Sequence, residues 1–137
     1  MTRRCAVLIG FLCAAGCVWR GYATIMGVHL DVLTQTAAKL CSVVQAGRGP
    51  TAEDMAEYDY PLQRAREFLG QFHGYGERQS YRRFGVLLDH YAALVREVDA
   101  ARAAGRDLQA ELAHLTAERD ALHQLATEIR GDLQAGR

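Results

Sequence analysis

Serine is nearly missing from this 137-residue chain: only Ser42 and Ser80 occur. Neither sits in a strand-to-helix nucleophile elbow, which sets aside the usual serine-hydrolase arrangement. Net charge is missing too, with 16 basic residues against 16 acidic ones. Nucleic-acid binders carry a basic stripe, so that class is excluded as an expectation. No HExxH run or paired Cys/His spacing turns His29, His73, His90, His114 or His123 into metal ligands. The acidic group Glu53, Asp54, Glu57 and Asp59 lacks a calcium-loop pattern and reads as helix capping and solvation. Without a convincing strand there is no strand-linked glycine-rich phosphate loop. No catalytic residue, metal, cofactor or small-molecule substrate is therefore expected. Cysteine is scarce where a fold would need it: Cys5, Cys13 and Cys17 crowd the first 17 residues, leaving Cys41 alone. A disulfide framework is excluded, and Cys41, beside Leu40 on the apolar side of a helix, is expected to be buried.

Long apolar runs are limited to one, and it is short. After Arg3 and Arg4, the segment from Cys5 to Val18 is uncharged and mostly apolar, and it stops at Trp19-Arg20. A spanning helix needs about 20 apolar residues and an export signal roughly 7 to 15, so this run fits an export signal. Its end, Ala14-Ala15-Gly16-Cys17, resembles the lipobox of bacterial lipoproteins, although the family prefers a large aliphatic residue where Ala14 stands. The resemblance implies cleavage before Cys17, palmitate-type acylation of that cysteine, a signal peptide at 1–16 and a tether at 17–23. It also implies a cell-envelope location facing the periplasm, with Val18 after the cysteine favouring the outer membrane. Several acyl chains hold a protein firmly without any spanning helix. Two alternatives stay open: cleavage after Gly21-Tyr22-Ala23, giving a soluble periplasmic chain, or no cleavage, with Thr24 to Val32 extending a signal anchor. The uncleaved form would suit a trans-envelope apparatus, and phage spanins share that anchor-plus-coil layout.

Downstream, the apolar spacing is helical throughout. Met26, Leu30, Leu33, Ala37, Leu40 and Val44 alternate steps of four and three and draw one stripe along a helix over 24–46. Gly47 and Gly49-Pro50 end it. Thr51 with Asp54 three residues on has the form of a capping box. The helix it opens is expected to be brief, because Pro61 lacks an amide and disfavours helix in the residue before it. Asp59 would then cap a new helix carrying Leu62, Ala65, Leu69 and Phe72. Aromatic residues concentrate between Tyr58 and Tyr91, which predicts the packed core there. The group Arg78, Arg82 and Arg83 beside Tyr81 reads as a solvated helix face, with contact to phospholipid headgroups or peptidoglycan as the alternative.

From residue 84 a three-four repeat persists to the end: Phe84, Leu87, Tyr91, Leu94, Val98, Leu108, Leu112, Leu115, Leu122, Ile129 and Leu133 are the expected coiled-coil core, interrupted by Gly105 and Arg119. Glu97 facing Arg102, and Glu118 facing His123, would set register between two parallel copies. The sequence thus predicts an all-α chain: helical segments over 24–76 forming a small bundle or hairpin, followed by a long coiled-coil helix over 77–135. The alternative folds that helix back on itself at 103–106. The expected role is structural or adaptor-like, through a lipid anchor to a membrane and through coiled-coil contact with a second copy or a helical protein.

Overall fold

The computed structural model describes the backbone from Arg3 and the side chains from Gly16 to Arg137. The charged start and most of the small-residue cluster of the expected export segment lie outside the residues whose side chains are described. Four α-helices make up the described residues: α1 (Arg3–Gln45), α2 (Ala52–Gln71), α3 (Gln79–Ala103) and α4 (Leu112–Gln134), with a 3-10 turn at His73–Tyr75 between α2 and α3. The chain is all-α. Helix α1 packs on α2 and α4, and α3 packs on the same two from the other side, so successive helices are antiparallel neighbours around one core.

The stripe expected along α1 is the stripe that packs: Met26, Leu30, Leu33, Ala37, Leu40 and Val44 are all buried. It also begins earlier than expected, because Tyr22 is completely buried and Trp19 packs against the same core. Residues 17–23, expected as a tether, are thus part of α1 and contribute Trp19 and Tyr22 to the core. Among the described residues no helix is long and apolar enough to cross a membrane.

Three glycines with positive φ close three helices in the same way. At Gly47, Gly105 and Gly136 φ is 75°, 65° and 72°. In each case the glycine amide reaches back three residues and the next amide five, for example Gly105 to Arg102 (3.1 Å) and Arg106 to Ala101 (2.9 Å). This is the Schellman closure, which satisfies the last free carbonyls of a helix and suits glycine because it has no Cβ.

That closure corrects the long helix expected over 77–135. The chain leaves α3 at Ala103, turns through Gly105 and starts α4 at Leu112, so the coiled-coil stalk is replaced by an antiparallel hairpin inside the bundle. Phe84, Leu87, Tyr91, Leu94, Val98, Leu115, Leu122 and Ile129 are buried, and Leu108, Leu112 and Leu133 pack at the edge of the same core. The heptad is satisfied within one chain. Its phase runs unbroken across Gly105 because α3 and α4 each need an apolar stripe, and the turn length happens to keep step.

The expected break at Pro61 is also absent: α2 is one helix of 20 residues with Pro61 inside it. Thr51 and Asp54 form the capping box, with the Asp54 amide donating to Thr51 Oγ1 (3.1 Å) and the Thr51 amide to Asp54 Oδ2 (2.6 Å). Proline leaves the carbonyl four residues back without its amide, and that residue, Glu57, is exposed, so water can replace the bond. In the same turn the carbonyl of Tyr58 accepts a 2.6 Å hydrogen bond from the buried Tyr91 hydroxyl. Asp59, no longer a cap, accepts from Gln63 Nε2 at 2.7 Å.

Candidate functional site

The densest chemistry among the described residues lies at one end of the bundle, where α1 enters, α2 turns into α3 and α4 finishes. Tyr22 stacks on Tyr75 with ring centroids 4.4 Å apart and on Phe68 at 5.8 Å. Trp19 leans on both Tyr22 (5.3 Å) and Tyr75 (5.9 Å). Phe72 fills the space between, 5.5 Å from Tyr22 and 4.9 Å from Phe68. The Tyr22 and Ser80 hydroxyls share a hydrogen bond of 3.3 Å across the core. Burial pushes the Tyr22 hydroxyl above the usual tyrosine range, and the bond to Ser80 opposes that shift.

Arginines frame this aromatic plug. The Arg78 guanidinium lies 4.4 Å from the Trp19 ring centre and 5.7 Å from that of Tyr75, and it donates to the carbonyl of Gly136. Aromatic faces attract a cation at these distances. Arg82 donates to the carbonyl of Glu77 (2.6 Å), and Arg20 stands exposed one helical position from Trp19. Beneath them, buried Asp132 binds Arg83 at 2.8 Å and lies 3.5 Å from Arg137. The Ser80 amide donates to the carbonyl of Arg137, which ties the chain's last turn onto the start of α3. Asp132 is the buried anion of this end.

The remaining sequence-nominated residues do not converge. Cys17 is exposed on α1, one and a half turns before Tyr22. Cys41 is buried at the α1–α4 contact, where its thiol donates to the carbonyl of Leu115 (3.5 Å) and burial raises its pKa. Glu97 pairs with His114 (3.1 Å) and Glu118 with His90 (3.6 Å), both between α3 and α4 of one chain, while Arg102 turns to Asp99 (2.7 Å). Neither pairing expected between copies forms among the described residues; each glutamate instead meets a histidine of the same chain. His29 packs on Phe68 (5.1 Å) and Phe84 (6.4 Å), and burial, helped by Arg64, lowers its pKa. Among the described residues no three His, Cys, Asp or Glu side chains gather as a metal site. Asp54 caps α2, and Glu57 faces Lys39 across 3.7 Å.

Sequence reasoning passed over Trp19 and Tyr22, and it placed Arg78 with Arg82 and Arg83 on the surface without its stack on Trp19. A signal for the first two was present: Trp19 and Tyr22 continue the stripe of α1 upstream from Met26 at steps of three and four. Assigning them to a processing segment removed them from the core count. Arg78 had no such signal, because its stacking depends on the end of α1 meeting a turn more than fifty residues away. No known protein family, curated protein or solved structure matches this chain.

Proposed function

We propose that this chain is a bacterial envelope protein with no catalytic role: a four-helix bundle held to a membrane at its N-terminus, acylated on Cys17, that presents helical surface to a partner. The observation that carries the reading is the continuity of α1, which leads from the apolar export segment, past exposed Cys17, into the bundle core at Tyr22 without a break. An anchor at Cys17 thereby becomes a rigid mount for the bundle, not a leash. The heptad core of α3 and α4 is occupied inside the chain, so the adaptor surface shifts to α1. Val18, Ile25, Val28 and Val32 stand exposed along its outer side at steps of seven, three and four. β-Branched residues at that spacing suit a parallel helical neighbour, such as a second tethered copy.

The uncleaved signal anchor is the second reading, favoured by the same unbroken helix. Cleavage after Ala23 has the least support, because it removes Trp19 and Tyr22 from the plug they fill. Metabolic labelling with an alkynyl palmitate analogue tests the proposal: label should enter the wild-type chain and vanish in Cys17→Ser. Unlabelled wild type, or a labelled mutant, would overturn acylation at Cys17. The intact mass of the wild-type protein then separates removal of residues 1–16 from an uncleaved anchor.

A further inference from the structure

The basic residues are not spread evenly over the bundle. The end where α1 enters gathers Arg20, Arg78, Arg82, Arg83 and Arg137 against Glu77 and Asp132, and Asp132 is taken up by Arg83 and Arg137. Among the described residues Arg20, Arg78 and Arg82 have no acidic partner within ion-pair distance, although all three are exposed. The opposite end holds one such cation, exposed Arg48, and its other arginines are paired. There Arg106 pairs with Glu111 (2.9 Å) and Arg102 with Asp99 (2.7 Å), while the Asp107 carboxylate accepts from the amide of Gln109 (2.9 Å).

We propose that the α1-entry end of the bundle, formed by Trp19, Arg20, Tyr75, Arg78 and Arg82, docks flat on an anionic phospholipid surface. The inference rests on the membrane-tether reading and deepens it by naming what the bundle touches. Three observations support this occupant over a protein. The apolar segment and Cys17 leave the bundle at this end, so any membrane holding them lies directly beneath it. Half-buried Trp19 and Tyr75 have the amphipathic rings that settle at headgroup depth. The unpaired guanidiniums complement phosphate, and Arg78 is held in place by two rings and the Gly136 carbonyl, which cuts the entropy lost when it binds an anion.

A basic residue near an anionic surface contributes about 1 kcal/mol, so three of them predict roughly a hundredfold preference for the docked orientation on anionic over zwitterionic lipid. Docking through this end leaves the far end, with its 104–111 turn, pointing away from the membrane. A bundle lying on its side would cover one long face of the helices instead.

Hydrogen–deuterium exchange of the full-length chain in vesicles reads both the contact and its orientation. The vesicles are phosphatidylcholine alone, or the same lipid with about 30 per cent phosphatidylglycerol. Expected is exchange slowed roughly tenfold across 73–82 in the anionic vesicles, no change across 104–111, and loss of the effect at about 0.5 M salt, where screening shortens to a few ångströms. Arg20→Gln with Arg82→Gln removes two charges without touching the Arg78 stack and should erase most of the difference while the chain still floats with the vesicles. Equal exchange in both vesicle types with the chain bound would overturn the docking and leave the tether standing. Protection of the far turn, or of one helical face, would overturn the orientation. The same protection from millimolar inorganic phosphate without vesicles would assign the site to free phosphate instead. Failure to float with either vesicle would remove the tether and the docking together.

Discussion

Glycine shows at the scale of single residues how the same change can act in opposite directions. At Gly105 and Gly131 a methyl group would meet nothing within 4 Å, so sterics between side chains do not distinguish them. Only Gly105 has a positive φ, and only Gly131 lies inside a helix. Gly105→Ala should therefore cost about 1 kcal/mol through left-handed strain. Gly131→Ala should add about 0.5 to 1 kcal/mol by restricting the unfolded chain. Urea titration of both variants reads the signs, and equal signs would contradict the helix end at Ala103. His29 offers a second residue-scale test. Burial lowers its folded pKa, so its contribution is complete above the unfolded value of about 6.5 and is lost as pH falls through the folded value. Stability measured from pH 8 down to about 5 should decline more steeply in wild type than in His29→Leu, which has no proton to take up. Parallel profiles would mean that His29 is solvated.

At the scale of elements, α2 survives its proline because the opened turn faces water on one side and the Tyr91 hydroxyl on the other. Proline inside a helix costs up to about 3 kcal/mol, so Pro61→Ala should raise stability by about 1 to 2 kcal/mol once the stiffer unfolded chain is allowed for. Tyr91→Phe should lower it by about 1 to 2 kcal/mol, since a buried carbonyl loses its donor. A neutral Tyr91→Phe would show the Tyr58 carbonyl to be satisfied along the helix alone. The same elements show what was legible beforehand. Periodicity located the packing faces well: the stripe of α1 and most of the heptad residues of α3 and α4 are the ones buried. Thr51 and Asp54 marked the start of α2 through chemistry three residues apart. Periodicity carries no information about whether a stripe meets its own chain or another, which is why one heptad over 77–135 was compatible with both a stalk and a hairpin. The choice lay in the φ of Gly105, which composition does not encode. The aromatic plug was half legible, its Phe68, Phe72 and Tyr75 half, because its other half sits in a segment that also resembles a processing signal.

At the scale of the whole molecule, that overlap makes the folded structure a constraint on where the chain can be cut. Among the described residues the first fully buried side chain is Tyr22, preceded by Trp19 on the same face, and both lie downstream of Cys17 but upstream of Ala23. Removing a large buried aromatic side chain costs about 3 to 5 kcal/mol, a large share of the 5 to 15 kcal/mol that holds a domain of this size together. A chain of residues 17–137 retains both rings and should unfold cooperatively. A chain of residues 24–137 loses them along with the stack on Tyr75 and the bond to Ser80, and it leaves Arg78 without its Trp19 face. Its melting temperature should fall by at least about 10 °C, or its transition should broaden until no baseline remains. Tyr22→Phe in the longer chain separates the two contributions: keeping the ring and losing only the hydroxyl should cost about 1 kcal/mol. If instead residues 24–137 melt as sharply and as high as residues 17–137, the plug is not part of the stable core. Cleavage after Ala23 would then regain its standing, and the proposed role of α1 as a rigid mount would have no structural basis.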